Sequence, residues 1–311
     1  MSSVRPREER TAAGVVTMTL AVAFFTCIDS SAKWLSLAGM PVLQIVFCRY
    51  AGHFAYALAL YLPQEGRGVF RSNAPGKQFL RSFFLLGSTV CNFAALKFLP
   101  ITVTTTIAFA GPIAVTLLAI PILGEKVGLR RILAVCVGFF GVLVVVQPWG
   151  VEFHPAMFLS LCTLLIASLY FIMTRMLAGV ETNATQQVWS SGLATLVLFP
   201  LAARVWVWPE TGLEWGVMLA IGAFGALGHI AATTAHRWAD ASILAPMIYS
   251  QIFFASLSGI LIFGTWPTIW TLTGGLIIIA SGLYIWQRER AKTRQRRRAA
   301  LEVLESLSER D

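Results

Sequence analysis

Charge is what this sequence has least of. Only 13% of its 311 residues are Asp, Glu, Lys or Arg, against 57% that are hydrophobic. No single core could hide that much apolar surface from water, so a soluble domain is excluded and the bilayer is the solvent. Cysteine is sparse as well. Cys27, Cys48, Cys91, Cys136 and Cys162 all fall inside apolar runs and show no paired ligand spacing, so neither a disulfide framework nor a metal motif is present. Catalytic signatures are also missing: there is no H-E-x-x-H, no G-x-x-x-x-G-K-[ST] loop and no pair of catalytic aspartates. A channel would need a filter or charged ring repeated over several subunits, whereas the repetition here lies within one chain. The expectation is therefore a protein that is not an enzyme and uses no cofactor.

What the sequence has instead is long apolar runs. A spanning helix needs about 20 apolar residues, each rising about 1.5 Å. Ten segments qualify: 12–37, 41–62, 78–99, 101–123, 129–147, 155–177, 185–203, 213–235, 242–263 and 268–287. They predict an all-α integral membrane protein with ten transmembrane helices. Arg5, Arg7 and Arg10 precede the first run as they would in a signal peptide. That run is too long, carries Asp29 and Lys33, and has no convincing cleavage site after it, so it is expected to be retained. With the N-terminus in the cytoplasm, all of the 24 basic residues except Lys33, Arg49, Lys97 and Arg204 fall on one side, Arg81 among them. Both termini are thus expected in the cytoplasm of a bacterial inner membrane. The basic cluster over 288–298 reads as a solvated tail that touches anionic lipid, not nucleic acid.

The chain also repeats itself. Residues 95–147 and 235–287 align without a gap at a spacing of 140, and Ala95, Leu117, Ile120, Ile122, Gly124 and Gln147 meet identical residues. Weak internal symmetry of apolar segments marks secondary carriers. Five spans per half is an odd number, so the second half must enter the membrane inverted. Arg130 and Arg131 accordingly meet the uncharged Trp270 and Thr271. The expected organisation is a cytoplasmic tail at 1–11, a first repeat at 12–147, a periplasmic link at 148–154, a second repeat at 155–287 and a basic cytoplasmic tail at 288–311.

These residues resemble a known family. The run Ala95-Leu96-Lys97-Phe98-Leu99-Pro100, then Gly111-Pro112, Leu123-Gly124-Glu125-Lys126, Gly138 and Gly141-Val142 look like the second part of an EamA repeat of the drug/metabolite transporter superfamily. Ala239-Asp240-Ala241, Pro246, Phe263-Gly264-Thr265-Trp266-Pro267-Thr268 and Ser281-Gly282 look like its partner, covering with the first copy nearly the whole chain. One departure is Thr265, where the family often carries an acidic residue; Glu125 has no acidic counterpart. The resemblance implies a ten-helix carrier with a central cavity between spans one to four and six to nine, spans five and ten standing aside. It also implies a substrate among small metabolites: amino-acid export leads, with uptake of riboflavin or S-adenosylmethionine, or multidrug export, as alternatives. A monomer and a homodimer are both compatible with it.

Ionisable groups inside hydrocarbon are costly, by about 2.5–3.5 kcal/mol on insertion scales, so each is a functional candidate until a structural partner explains it. Asp29 in span one and Arg49 in span two both lie about 12 Å below the same surface at about 1.5 Å per residue, so they can pair. Lys33 and His53 stand four residues beyond them on the same helix faces. Asp29, Lys33 and His53, with Gly111 and Pro112 at the middle of span four and Glu125 at the start of span five, are the coupling or gating candidates, Asp29 by gaining and losing a proton. A structural ion pair and a helix-end carboxylate are the plainer readings of Asp29–Arg49 and of Glu125. The substrate-binding candidates are Arg49, which would take a carboxylate, together with Asn92, Phe109, Gln187, Trp189, Ser191, Tyr249 and Gln251, a mix of amides and aromatic faces. Of Thr104, Thr105 and Thr106, some must bond back to their own helix. His229 reads as a packing residue.

Overall fold

The computed structural model describes residues 10–123, 129–148, 150, 153–177, 179–239 and 241–308. Every regular element among the described residues is helical. In chain order they are α1 (Thr11–Leu37), α2 (Val42–Glu65), α3 (Pro75–Leu96), α4 (Ile101–Ala108), α5 (Gly111–Leu123), α6 (Leu129–Val146), α7 (Met157–Met176), α8 (Asn183–Arg204), α9 (Gly212–Trp238), α10 (Ala241–Leu244), α11 (Gln251–Phe263) and α12 (Ile269–Ser308). Lipid offers no partner to a backbone N–H or C=O, and a helix pairs these groups within its own segment. Eight spans among the described residues are long and apolar enough to cross a membrane, α4 and α5 together making one (Ile101–Ile122) and Pro246–Phe263 another, and the shorter apolar helix Ile132–Val146 adds to them. At 22 residues α8 is long enough as well, but Gln186, Gln187, Ser190 and Ser191 lower its hydropathy. Where ends lie outside lipid, ordinary caps take over: Thr211 and Glu214 form a capping box at the start of α9, and Thr182 accepts from the Thr185 N–H at α8.

Span four is broken where Pro112 predicts. α4 ends at Ala108 and α5 begins at Gly111, because Pro112 has no N–H to give the Ala108 carbonyl. Phe109 N–H is shared between the carbonyls of Thr105 and Thr106, at 3.1 and 3.2 Å, which closes the end of α4. Span nine breaks at the equivalent place, where a 3₁₀ turn at Ala245–Ser250 containing Pro246 separates α10 from α11.

Packing repeats the symmetry of the sequence. α1 packs on α9 and α3 on α7, α2 packs on α8, α4 on α11 and α6 on α12. Exchanging the halves turns the first pair into the second and each of the others into itself, as a pseudo-two-fold axis in the membrane plane requires. Two crossings depend on missing side chains. A Cβ on Gly52 would lie 2.8 Å from the Gly222 Cα, and one on Gly222 would lie 2.6 Å from the Gly52 Cα. Gly141 and Gly274 bring α6 and α12 together in the same way, a Cβ on Gly274 meeting the Gly141 carbonyl at 2.7 Å. α12 then runs on to Ser308, so the basic tail begins as a continuation of the last span.

Candidate functional site

Between the halves lies a cavity of about 190 Å³. Its wall comes from Phe25, Ile28 and Asp29 of α1, Arg49 of α2, Ser88, Thr89, Asn92 and Phe93 of α3, Thr104, Thr105 and Ala108 of α4, Thr163 of α7 and Gln251 of α11. α6 and α12 contribute nothing to it.

Asp29 and Arg49 thus meet in one space, as their depths predict, but as two walls of a cavity. The two do not form an ion pair across it. Asp29 Oδ1 instead accepts from Asn92 Nδ2 at 2.9 Å. Arg49 is 7% exposed, and its Nε and Nη1 are buried with no hydrogen-bond partner. Its guanidinium lies 4.5 Å from the Tyr50 ring centroid. That ring is pinned in turn, since the Tyr50 hydroxyl bonds Thr89 Oγ1 at 2.8 Å and donates to the Leu85 carbonyl at 3.2 Å. A buried donor left unmet costs about 1–3 kcal/mol, and more when charged, so the Arg49 guanidinium is unsatisfied at a cost in this arrangement. Thr105 Oγ1, also on the cavity wall, is unpartnered too, while Thr104 and Thr106 donate back to Ile101 and Thr102 carbonyls.

The other sequence candidates divide. Asn92 and Gln251 line the cavity. Lys33 is not brought to Asp29: its Nζ donates to the carbonyls of Leu96 and Leu99, at 2.9 and 2.7 Å, and ties α1 to the end of α3. The spacing of four put both on one helical face, but the long stem reaches carbonyls that no side-chain pattern reveals. Trp189 donates from Nε1 to the Phe70 carbonyl at 3.1 Å, away from the cavity. Ser191 is fully buried and donates to the Gln187 carbonyl of its own helix. Phe109 and Tyr249 meet each other edge to face at 5.2 Å, within a core that includes Ile113 and Ile278. Gly111 has open space around it, with nothing within 4 Å of a built Cβ, and starts α5 together with Pro112. Glu125 lies outside the described residues.

His53 and Gln187 join a second, much smaller space of about 10 Å³, with Tyr61, Ala226, His229 and Ile230. His53 stacks on His229 with ring centroids 5.1 Å apart and planes 17° from parallel.

Arg81, counted with the cytoplasmic charges, is buried near the start of α3, donating to Tyr170 OH and Thr174 Oγ1 of α7 and to Ser190 Oγ and the Gln186 carbonyl of α8. Sequence reasoning also passed over Phe25, Ile28, Ser88, Thr89, Phe93 and Thr163. The helical spacing of Phe25, Ile28 and Asp29, and of Ser88 and Asn92, is the signal that could have found most of them.

Comparison with known proteins fits this geometry. A riboflavin transporter of Rhizobium johnstonii is 26% identical over 94% of this chain and 97% of its own. An S-adenosylmethionine uptake transporter of Rickettsia bellii is 24% identical over 89% and 94%, and a pseudopaline exporter of Pseudomonas aeruginosa 28% identical over 86% and 94%. A solved crystal structure superposes with a TM-score of 0.59 over 88% of this chain and 94% of its own, at 18% identity, which bears on the fold alone. The profile of the EamA-like transporter family matches residues 12–147 and again 154–287. This multi-pass membrane protein, a transporter of a small metabolite, belongs to the EamA-like transporter family.

Proposed function

We propose that the chain is a secondary carrier for a small zwitterionic metabolite with an amino-acid head, working by alternating access in a bacterial inner membrane with both termini cytoplasmic. The observation that carries this is the Arg49 guanidinium, with two unpartnered nitrogens, on the wall of a cavity that also holds the Asp29 carboxylate. A substrate carboxylate satisfies Arg49, and its ammonium group goes to Asp29. Asn92 keeps the Asp29 side chain in place, and Thr105 and Gln251 serve the remaining polar atoms. The space of about 190 Å³ holds an amino-acid head. Rocking of the halves, hinged at Gly111-Pro112 and Pro246, opens the cavity to one side or the other. Direction follows from the gradient to which the carrier is coupled, and the relatives include both uptake carriers and an exporter.

A second reading is carriage of a flat ring compound such as riboflavin. Phe25 and Phe93 put aromatic side chains on the cavity wall, and three riboflavin transporters stand among the relatives. Counterflow in proteoliposomes separates the readings. Labelled L-methionine or S-adenosylmethionine should exchange saturably, and Arg49→Gln should weaken their apparent affinity roughly 10- to 100-fold, the worth of a charge-assisted hydrogen bond. Exchange of riboflavin with neither zwitterion would favour the second reading. Flux that never saturates would overturn both.

A further inference from the structure

We infer that the stacked His53–His229 pair is a proton site that binds cooperatively with the substrate carboxylate at Arg49, so that proton and substrate cross together. This rests on the zwitterion reading of the cavity.

The pair is not explained by packing alone. His53 is 4% exposed and its Nδ1 is buried without a hydrogen-bond partner, although the residue borders an open space. That space, about 10 Å³, is near the smallest that holds one water. The helix crossing that forms the pair is unusually close, because Gly52 and Gly222 touch backbone to backbone next to His53. Gly225 leaves room beside the His53 ring, and Phe25, itself on the wall of the large cavity, meets His229 edge to face at 5.4 Å. The two spaces therefore share a wall. An imidazole is the one side chain whose ordinary titration falls in the physiological range.

Coupling follows from the charges around the pair. Around it are Arg49 and Tyr61 from α2 itself and the neutral Gln187 from α8, with Arg81 of α3 bonded to Gln186 and Ser190 of α8 and Asp29 of α1 sharing the large cavity with Arg49. Arg49 precedes His53 by one helical turn on the same face of α2, and His229 stacks on His53. A guanidinium and an imidazolium repel each other, and a carboxylate bound at Arg49 cancels much of that repulsion. Arg81 cannot be neutralised by substrate, since its nitrogens are already committed to Tyr170, Thr174, Ser190 and the Gln186 carbonyl. It sets a constant background, and Arg49 is the variable one. Carboxylate and proton each make the other easier to bind, by the same factor. The step is a simple protonation: a lone pair on an imidazole nitrogen takes a proton from the solution on the open side and gives the same proton to the solution on the other. No other bond forms or breaks.

Two measurements test this. In weakly buffered detergent, the unmodified protein should take up protons when L-methionine or S-adenosylmethionine is added, and the apparent affinity for either should tighten about tenfold as pH falls through the range of the pair, within the 5- to 150-fold span typical of such couplings. In proteoliposomes, His53→Asn and His229→Asn should lose accumulation driven by a pH gradient while keeping equilibrium exchange, which needs no net proton movement and also reports that the variants are folded. Substrate binding without proton uptake overturns the inference, as does gradient-driven accumulation by the variants at the unmodified rate. Variants that lose exchange along with accumulation make the pair structural and overturn it too. If neither probe exchanges with the unmodified protein, it is the zwitterion reading that has failed.

Discussion

Lys33 separates a structural cation from a transporting one. Its ammonium bridges two carbonyls at the end of α3, those of Leu96 and Leu99 at 2.9 and 2.7 Å, and it lies 5.5 Å from the Phe263 ring centroid. A helix end carries partial negative charge and unmet carbonyls, so a cation is well placed there. Lys33→Met removes two hydrogen bonds to a charged donor, worth about 1.5–3 kcal/mol each. Relief from burying the ammonium returns part of this, leaving a net loss of about 2–4 kcal/mol. The thermal unfolding midpoint of purified protein should fall by several degrees, while the Km for exchange, measured well below that midpoint, should stay within twofold of the unmodified value. A variant of unchanged stability with an altered Km or pH profile would refute the reasoning and return Lys33 to the cavity beside Asp29.

Three further outcomes are expected. Gly222→Ala places a methyl 2.6 Å from the Gly52 Cα, so the crossing must widen, at a cost of about 1–3 kcal/mol read from thermal unfolding; an unchanged midpoint would show that the two helices are not held in contact. Gly111→Leu meets open space and should leave stability and binding intact while slowing turnover, and the reverse pattern would end the hinge proposal. Cysteines introduced at Arg131 and Trp270 in a background without other thiols should react with an impermeant reagent from opposite compartments, and labelling of both from one side would contradict the inverted arrangement of the halves.

What could be read without coordinates was whatever depends on one residue's own chemistry. Apolar length gave the spans and buried charge singled out Asp29 and Arg49, while proline marked breaks only in part: spans four and nine break beside Pro112 and Pro246, but α5 runs on through Pro121. Side chains whose partners are backbone atoms were illegible: Lys33 on two carbonyls, Trp189 on the Phe70 carbonyl and Ser191 on its own helix all looked like cavity residues by type. Arg81 failed differently. It sits near a helix start, where charge usually reaches water, but Tyr170, Thr174 and Ser190 converge on it and satisfy it inside the bundle. The pairing of His53 with His229 depends on how α2 crosses α9, which two glycines decide and neither histidine announces.

Packing and charge obey different symmetries in this molecule, and a carrier of the kind proposed explains why. At the same spacing of 140, Asp29 falls on Leu169, Arg49 on Trp189 and Asn92 on Ala232, so the first repeat holds the charged end of the site and the second has nothing to match it. Helix contacts are nevertheless related by the exchange of halves. In alternating access the two halves trade conformations, so each interface must fit in both end states, and close crossings such as Gly141 on Gly274 must survive the exchange. The charges face no such demand. In the proposed carrier, substrate would meet Arg49 and Asp29 whichever side is open, and holding both charges in one repeat would let the other, with Thr163 and Gln251 on the cavity wall, move across the substrate without separating an ion from its partner. Burying a second charged set would add desolvation cost without adding a contact the substrate needs.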